Sequence, residues 1–542
     1  MANWSTESVV INTKEDCKNN VMKNLLSNQK GMALLTTLIF VFILITFGAS
    51  LLIMTSNDTK LSTLQRDSTK AFYIAEAGVE RTLYNLKKDF ESSEDWNDGD
   101  INGYSLTDED ANGFQKIEYD GEDDYDVSFG DGTYIVSLKI NDSNNVTIKS
   151  KGKYDNSIRY VQVDAKIEIF SIWDNAICGG SGAAGAIING NAEFRGSLHL
   201  LGEGLLATDI AIDLGGGAGV GNNYEGMDTD LSSRVPSLPT TTFNEEEVGF
   251  LNAKLRVKHG KVKLSGNAYI GEEDDSGYPY IKETLQGVYV TDGFIGGVLD
   301  NNIHSDNGME NGYDLGGVAI VFPSLYDPYE GYPTYFDYLK DEYEDNALKI
   351  NGISEISADT PSFEYGVVGS NYIKWVPGTG PDPGILTIEG IIWVDNPDGL
   401  VIGESGETII FDGKGTLVSA TYDEEGEPAT YADISIHSHL LSNGIFPTGD
   451  SLGLVSDGDI DIATGGGDAN LNIMGAFYAE NKITMAKQTE LVGTFVSNYI
   501  DMGNQVPSIY QVPELINNIP PGMPGATITY FIYTNNWHEV HE

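Results

Sequence analysis

A predominantly apolar run extends from Met32 to Met54, and apolar residues recur at a helical spacing afterwards. The run contains no charged residue and no proline. At about 1.5 Å per residue, a helix of this length rises roughly 34 Å and crosses a bilayer core. From Asp58 to Leu86 the apolar residues return every three or four positions, and charged residues occupy the other face. The pattern predicts one long helix, membrane-spanning over residues 32–55 and amphipathic over residues 56–90.

Three segments after the helix alternate apolar and polar residues, as half-buried antiparallel strands do. They are 132–140, 144–154 and 158–170. A sheet packed on the apolar stripe of the helix would bury both surfaces. Residues 132–170 are therefore predicted to form a small antiparallel sheet on the second half of the helix.

From residue 171 the chain changes to short strands separated by glycines, with weak internal repeats. The segments 187–196 and 263–271 share a Gly-Asn-Ala core, and 475–485 resembles 493–502. Units of this kind bury an apolar face only when they stack, which favours a β-solenoid over the main alternative, a β-sandwich with long hairpins. The predicted fold class is α+β, with a β-rich, solenoid-like head over residues 171–542 that ends in a proline-rich segment.

The charge balance narrows the classes of partner. The chain has 31 Lys and Arg against 81 Asp and Glu, a formal net charge of −50. A surface this acidic repels phosphate backbones, so no nucleic-acid partner is expected. Residues 91–131 are predicted to be an acidic, solvated loop. The cysteines Cys17 and Cys178 lie on opposite sides of the apolar run, so no disulfide is predicted.

A possible calcium loop lies within the acidic stretch. The sequence DGDINGYSLTDE, residues 98–109, fits the spacing D-x-[DN]-x-[DN]-G-x5-E. Asp98, Asp100 and Asn102 would supply side-chain oxygens, Tyr104 its carbonyl, and Glu109 two closing oxygens. The alternative is that the motif matches by chance, because the chain is rich in Asp, Asn and Gly.

Other polar patterns indicate no catalytic site, and no enzyme is expected. Asp457, Asp459 and Asp461 share one strand face without a basic cluster beside them. His437 and His439 lack a third strong zinc ligand nearby in the sequence. The terminal HEVHE is one residue short of HExxH, and Cys178 has no histidine pattern to activate it.

The flanks of the apolar run predict its orientation. The Lys30-Gly31 pair precedes it directly, and the nearest charges further upstream are also positive. The positive-inside tendency then leaves the N-terminus in the cytoplasm and places the body outside. The run is too long for a secretory signal core of about 7–15 residues, so ordinary cleavage and secretion are disfavoured.

The sequence GMALL at residues 31–35, the apolar run, and AFYIAEAGVERTL at residues 71–83 together resemble the N-terminal module of PilX-like minor type IV pilins. The tetrad Ala75, Glu76, Ala77 and Gly78 is its best marker. The resemblance implies that residues 1–31 are a leader, that prepilin peptidase cuts after Gly31, and that Met32 is then N-methylated. It also implies that the helix first anchors the chain in the inner membrane and then packs against other pilin subunits in a filament.

One departure concerns the fifth mature position, where most major pilins carry Glu and this chain has Thr36. The resemblance then implies a minor subunit of a pilus or pseudopilus, located at the pilus or cell surface. Its head would serve assembly priming or adhesion, with a possible surface ligand. Two alternatives stay open: a membrane-anchored β-helix protein that binds or degrades polysaccharide, and a static surface protein without a filament.

Overall fold

The structure is a computed structural model. It describes residues 29–542 except 94–95, 97–98, 120–124, 143, 182–191, 278–279, 297–301, 310–311, 316–319, 342–345, 422–431, 503–505, 527–528 and 541–542. The leader falls outside the described residues except for its last positions. The chain divides into two compact units, Met1–Glu168 with Tyr530–Glu542, and Ile169–Thr529.

The first unit is built on one long helix, α1 (Gln29–Ser93). Side chains of its first half are exposed, whereas Ala71, Ala75, Val79 and Leu86 are fully buried. The buried positions follow the three- and four-residue steps of the predicted stripe. The helix therefore has the two halves that the sequence predicts.

An antiparallel sheet covers the buried face of α1. Its three main strands are joined by short connections and pair over nearly their whole lengths, with Ile148 opposite both Leu138 and Val163. The last strand of the chain, which the sequence assigned to the head, instead lies beside the third main strand in this sheet. The strands of the first unit are β1 (Asp100–Ile101), β2 (Tyr104–Ser105), β3 (Gln115–Lys116), β4 (Val127–Phe129), β5 (Gly132–Asp142), β6 (Asn145–Tyr154), β7 (Ser157–Phe170) and β35 (Thr529–Val540).

The acidic stretch differs from a simple solvated loop. It contains the hairpin β1–β2 and the strands β3 and β4, which both pair with β5. Trp96, Ile101 and Ile117 within it are fully buried. These few apolar side chains attach an otherwise acidic segment to the core of the unit.

The second unit is a large β-rich domain. Its helices are short: α2 (Thr229–Ser232), α3 (Tyr335–Lys340) and a 3-10 helix (Pro513–Asn517). Its strands are β8 (Ile177–Gly179), β9 (Glu193–Arg195), β10 (Leu198–Leu200), β11 (Ile210–Leu214), β12 (Gly219–Gly221), β13 (Thr240–Phe243), β14 (Glu246–Gly249), β15 (Lys254–Val257), β16 (Lys261–Leu264), β17 (Tyr269–Ile270), β18 (Gly287–Val290), β19 (Phe294–Gly296), β20 (Leu348–Asn351), β21 (Glu355–Ile356), β22 (Phe363–Gly366), β23 (Tyr372–Val376), β24 (Gly384–Asp395), β25 (Leu400–Ile402), β26 (Thr408–Asp412), β27 (Lys414–Ser419), β28 (Ile434–Ile436), β29 (His439–Ser442), β30 (Ser451–Ser456), β31 (Asp459–Ile462), β32 (Asn472–Met485), β33 (Glu490–Asp501) and β34 (Ser508–Tyr510).

Parallel ladders dominate this unit. One ladder runs through β20, β24, β27, β30, β32, β33, β8, β10, β15 and β18. It aligns buried side chains in a single column, including Leu417, Leu454, Phe477, Phe495 and Leu198. A helix followed by a large β-rich domain, as predicted, is confirmed.

The repeats noticed in the sequence are neighbours in these ladders. Gly475 lies opposite Gly493, and Phe477 lies opposite Phe495. Phe194 and Ile270, from the two Gly-Asn-Ala segments, both pair with Val220 between them. Each repeat therefore contributes equivalent positions to a shared ladder.

Candidate functional site

The predicted processing residues lie at the start of α1. Gly31 and Met32 are in its first turns, and Met32 is 66% exposed. Among the described residues, one helix is long and apolar enough to cross a membrane by length and composition. Nothing in the described chain packs against its apolar half, so that half needs lipid or other subunits to cover it.

Thr36, which the predicted cleavage would make the fifth mature residue, has a hydroxyl with partners within its own helix. Its Oγ1 donates to the carbonyls of Met32 and Ala33, each at 3.0 Å. A hydroxyl that hydrogen-bonds to its own helix can enter an apolar environment at little cost. The position therefore brings no charge that a neighbouring amino terminus would have to neutralise.

The tetrad at residues 75–78 lies where α1 approaches the sheet closely. Ala75 is fully buried, and a Cβ on Gly78 would overlap Ser150 Oγ and lie 2.9 Å from the Tyr134 ring. From the opposite side, a Cβ on Gly152 of β6 would overlap the backbone of Ala71 and Ala75. Small residues on both elements thus bring the helix into contact with the sheet.

Polar contacts lie just beyond this close approach. Thr82 Oγ1 donates to the Gly78 carbonyl at 2.7 Å and lies 2.7 Å from the Tyr119 hydroxyl. The Arg81 guanidinium lies 4.2 Å from the centre of the Tyr119 ring. Burial raises the pKa of Tyr119 to about 12, so the phenol stays protonated and hydrogen-bonded at neutral pH.

The described part of the predicted calcium loop is a hairpin held to α1. Asp100 Oδ1 accepts from the Gly103 amide at 2.8 Å, and Asn102 Nδ2 donates to Asn85 Oδ1 at 3.0 Å. Tyr104 packs against Tyr119, with ring centres 4.9 Å apart. Asp98 lies outside the described residues. No cluster of three or more acidic, histidine or cysteine side chains suited to a metal occurs in the described chain.

The histidine and aspartate patterns of the second unit have local partners. His437 Nδ1 lies 2.8 Å from Asp468 Oδ2, and His439 Nδ1 accepts from the Asn472 amide at 3.0 Å. Asp457 is buried and accepts from the Ala432 amide at 2.7 Å. Burial raises the pKa of Asp457 to about 7. The two histidines and Asp457 thus contribute to loop and strand geometry.

Cys178 and the described part of the terminal HEVHE both lie in strands. Cys178 is a free, buried thiol in β8, and burial raises its pKa to about 12. A thiol held protonated in this way is unreactive. His538 and Glu539 belong to the extended strand β35, where alternate side chains point to opposite faces.

The first unit also carries a basic pocket that is not predicted from the sequence. We call it the lysine pocket: Asp110, Asn112, Phe114, Lys116, Ile135, Ser137, Lys149, Lys151 and Tyr160. The alternating lysines of KSKGK at residues 149–153 were the available signal. Only the register of the sheet brings Lys116 beside them, because Lys116 and Lys149 both pair with Ser137.

Comparison with known proteins agrees with the resemblance in the helix. The family model described as PilX N-terminal matches residues 30–80. No curated protein matches the chain. The resemblance of the N-terminal module to PilX-like minor type IV pilins is thus confirmed.

A solved structure shares the fold of a larger part of the chain. The competence-associated pilin ComZ from Thermus thermophilus aligns with a TM-score of 0.53 and 20% sequence identity. The alignment covers 88% of this chain and 98% of that one. Together the two comparisons support a type IV pilin-like role.

Proposed function

We propose that this chain is a minor type IV pilin-like subunit that is cut after Gly31 and N-methylated at Met32. The observation that carries the proposal is α1 itself, whose apolar first half lacks any partner in the described chain while its second half packs on a sheet. Such a helix needs a membrane before assembly and neighbouring subunits afterwards. Prepilin peptidase and other pilin subunits are the proposed partners.

The proposed topology follows from the flanking charges. The N-terminus stays in the cytoplasm and the head lies outside, first at the inner membrane and then on a pilus or pseudopilus. Thr36 supports a minor role, since it offers no carboxylate to a neighbour's amino terminus. The head would contribute to assembly priming or adhesion.

We infer that the head is a β-solenoid. The parallel ladders and the buried columns that they align support this form over a β-sandwich, whose sheets are antiparallel. We also propose that the head is not an enzyme, because the polar residues of the predicted constellations have structural partners.

Mass spectrometry of the mature N-terminus tests the pilin proposal. The expected product begins with N-methylated Met32, and a Gly31→Leu variant is expected to retain its leader. An intact wild-type leader, or a cut near Ser50, would contradict the proposal.

A second candidate function is a membrane-anchored β-helix protein that binds or degrades polysaccharide, favoured by the parallel ladders of the second unit. Two experiments separate this function from the pilin role: deletion of the gene, and incubation of the purified chain with polysaccharides. Loss of piliation without cleavage supports the pilin role, and cleavage with intact piliation supports the alternative.

A further inference from the structure

The lysine pocket lies on the face of the sheet that points away from α1. Gly152 of β6 contacts the helix, so Lys149 and Lys151, which alternate with it, point to the opposite face. The pocket has a volume of about 330 Å³. That size falls at the lower end of ordinary small-molecule sites, which span roughly 300–1,000 Å³.

The three lysines of the pocket form no ion pair within the described chain, and their ammonium groups lie beside aromatic rings. The ammonium groups of Lys149 and Lys151 lie over the Tyr160 ring, 5.2 and 5.7 Å from its centre, and that of Lys116 lies 5.0 Å from the centre of the Tyr125 ring. None of the three forms an ion pair with a described residue, although the protein has 81 acidic side chains.

The one acidic side chain of the pocket is engaged elsewhere. Asp110 Oδ1 accepts from the amides of Asn112 and Phe114 at 2.8 and 3.0 Å. These hydrogen bonds, and to a smaller extent the charge of Lys149, lower the pKa of Asp110 and keep it charged within its own turn. Three lysines against one carboxylate leave the pocket positive.

This arrangement favours an anion. Lysines at neighbouring positions of a sheet repel each other, and a bound anion would relieve that repulsion. A protein of net charge −50 has many carboxylates available for pairing, yet these three lysines converge on a pocket whose described lining holds only one carboxylate, that of Asp110. The pocket therefore has the electrostatics of a binding site for a negatively charged group.

The remaining walls restrict which anion fits. Phe114, Ile135 and Tyr160 add carbon surface, and Asn112 and Ser137 add hydrogen-bonding groups. Inorganic phosphate gains nothing from the carbon surface. Nucleic acid, with about one charge per 1.7 Å of duplex, is repelled by the acidic remainder of the chain.

We propose that the lysine pocket binds a uronic acid unit of an acidic polysaccharide. The lysines hold the sugar carboxylate, the apolar wall covers the C–H face of the ring, and Asn112 and Ser137 bond to hydroxyls. The inference goes beyond the proposed pilin role, because binding to the purified chain requires neither processing nor a filament.

Isothermal titration calorimetry of the full chain in detergent with a short oligogalacturonate tests the proposal. We expect binding that weakens as salt is added, and a loss of roughly tenfold or more in affinity for Lys149→Gln/Lys151→Gln. Lys116→Gln, on another strand, should also weaken binding. Lys349→Gln/Lys374→Gln removes the same charge from lysines that pair with Asp395 and Glu364, and should bind like wild type.

Three further ligands distinguish the alternatives. A neutral oligosaccharide of equal length, inorganic phosphate and single-stranded DNA are each expected to bind more weakly than the oligogalacturonate. Phosphate or DNA binding as tight as the uronate would overturn the assignment. So would wild-type affinity in the variants of the lysine pocket, or no uronate binding by wild type.

Discussion

At the residue scale, the close contact between α1 and the sheet explains why the tetrad at residues 75–78 contains small residues. Gly78 of α1 lies against Ser150 and Tyr134 of the sheet, and Gly152 of β6 lies against the backbone of α1. A Cβ at either position would force neighbouring atoms to move. The glycine in AEAG therefore has a packing role that is independent of processing. The buried hydroxyl of Ser150, which lacks a hydrogen-bond partner in the structure, lies next to Gly78.

Replacing Gly78 with Val should loosen the first unit. We expect a destabilisation of roughly 1–3 kcal/mol, typical of overpacking, because the sheet would have to move away from the helix. Hydrogen exchange should then quicken in residues 71–86 and stay unchanged in β32 and β33. Gly48→Ala is the matched control on the same helix, since nothing lies within 4 Å of its Cβ position. Equal exchange in both variants would refute the packing role.

Asp457 is a second residue of interest, because its protonation makes the stability of the fold depend on pH. Its folded-state pKa of about 7 lies above the ordinary value near 3.8, because burial disfavours the charged form. The folded state therefore holds a proton that the unfolded state releases. The stabilisation is fully present below about pH 4 and is lost as the pH rises through about 7.

Asp457→Asn should remove this pH dependence while keeping an oxygen for the Ala432 amide. Chemical denaturation at pH 5 and pH 8 is expected to show a smaller difference in unfolding free energy for the variant than for wild type. Asp398→Asn, at an exposed turn, is the control for loss of one charge. If all three proteins show the same difference, Asp457 does not titrate in this range.

At the element scale, the hairpin β1–β2 carries the calcium prediction. Asp100 and Asn102 make hydrogen bonds within the protein, so the hairpin is organised through α1 as well as through its own turn. Asn102 has φ +54° and Gly103 has φ +79°, as a tight turn requires. Calcium would add to this geometry by neutralising the carboxylates of the acidic stretch.

Asp100→Asn separates the stabilisation that the hairpin gains from its own hydrogen bonds from any stabilisation by calcium. Asparagine keeps an acceptor for the Gly103 amide but removes a charge that calcium would use. We expect calcium to raise the melting temperature of the wild-type chain, and to raise that of the variant less. Identical melts of wild type with calcium and with a chelator would contradict the predicted calcium loop.

The long strands of the second unit show how one element serves two ladders. The first part of β24 pairs with β26 and the second with β27, and the change falls at Gly390, where φ is +71°. A Cβ at Gly390 would overlap Asn371. Glycine is needed there because the strand turns and another chain segment approaches it closely.

At the scale of the whole molecule, the order of the ladders differs from the order of the chain. β33, near the end of the sequence, pairs with β8, the first strand of the second unit, and β34 pairs with β9. The column of buried side chains is thus continuous from Phe495 to Ile177 and Leu198. No local pattern predicts such a junction, because its two sides are more than three hundred residues apart.

The last strand likewise returns to the first unit. The Tyr530 ring packs on Phe90 with ring centres 5.5 Å apart, and Glu539 pairs with Arg159 at 3.0 Å. Asn536 donates to Asp164 at 2.8 Å. The C-terminal residues therefore help to complete the sheet that begins after α1.

Removing residues 529–540 should expose the edge of β7. We expect faster hydrogen exchange in β7, since its neighbour in the sheet is lost, and little change in β32 or β33. Glu539→Ala is the matched control, because it keeps the backbone of β35 and deletes the exposed ion pair with Arg159, which contributes about 0–1 kcal/mol. Unchanged exchange in β7 after truncation would show that β35 contributes nothing to the sheet.

The sequence by itself determined the long helix, its apolar and amphipathic halves, the three main strands and the pilin-like module. These features are local, because hydrophobic periodicity and a short motif record which face of one element is buried. The tertiary structure alone decided the junction of β33 with β8, the return of β35, and the meeting of Lys116 with Lys149 and Lys151. Each of these depends on strand register and on contacts between distant segments, and hydrophobic periodicity within one segment does not encode them.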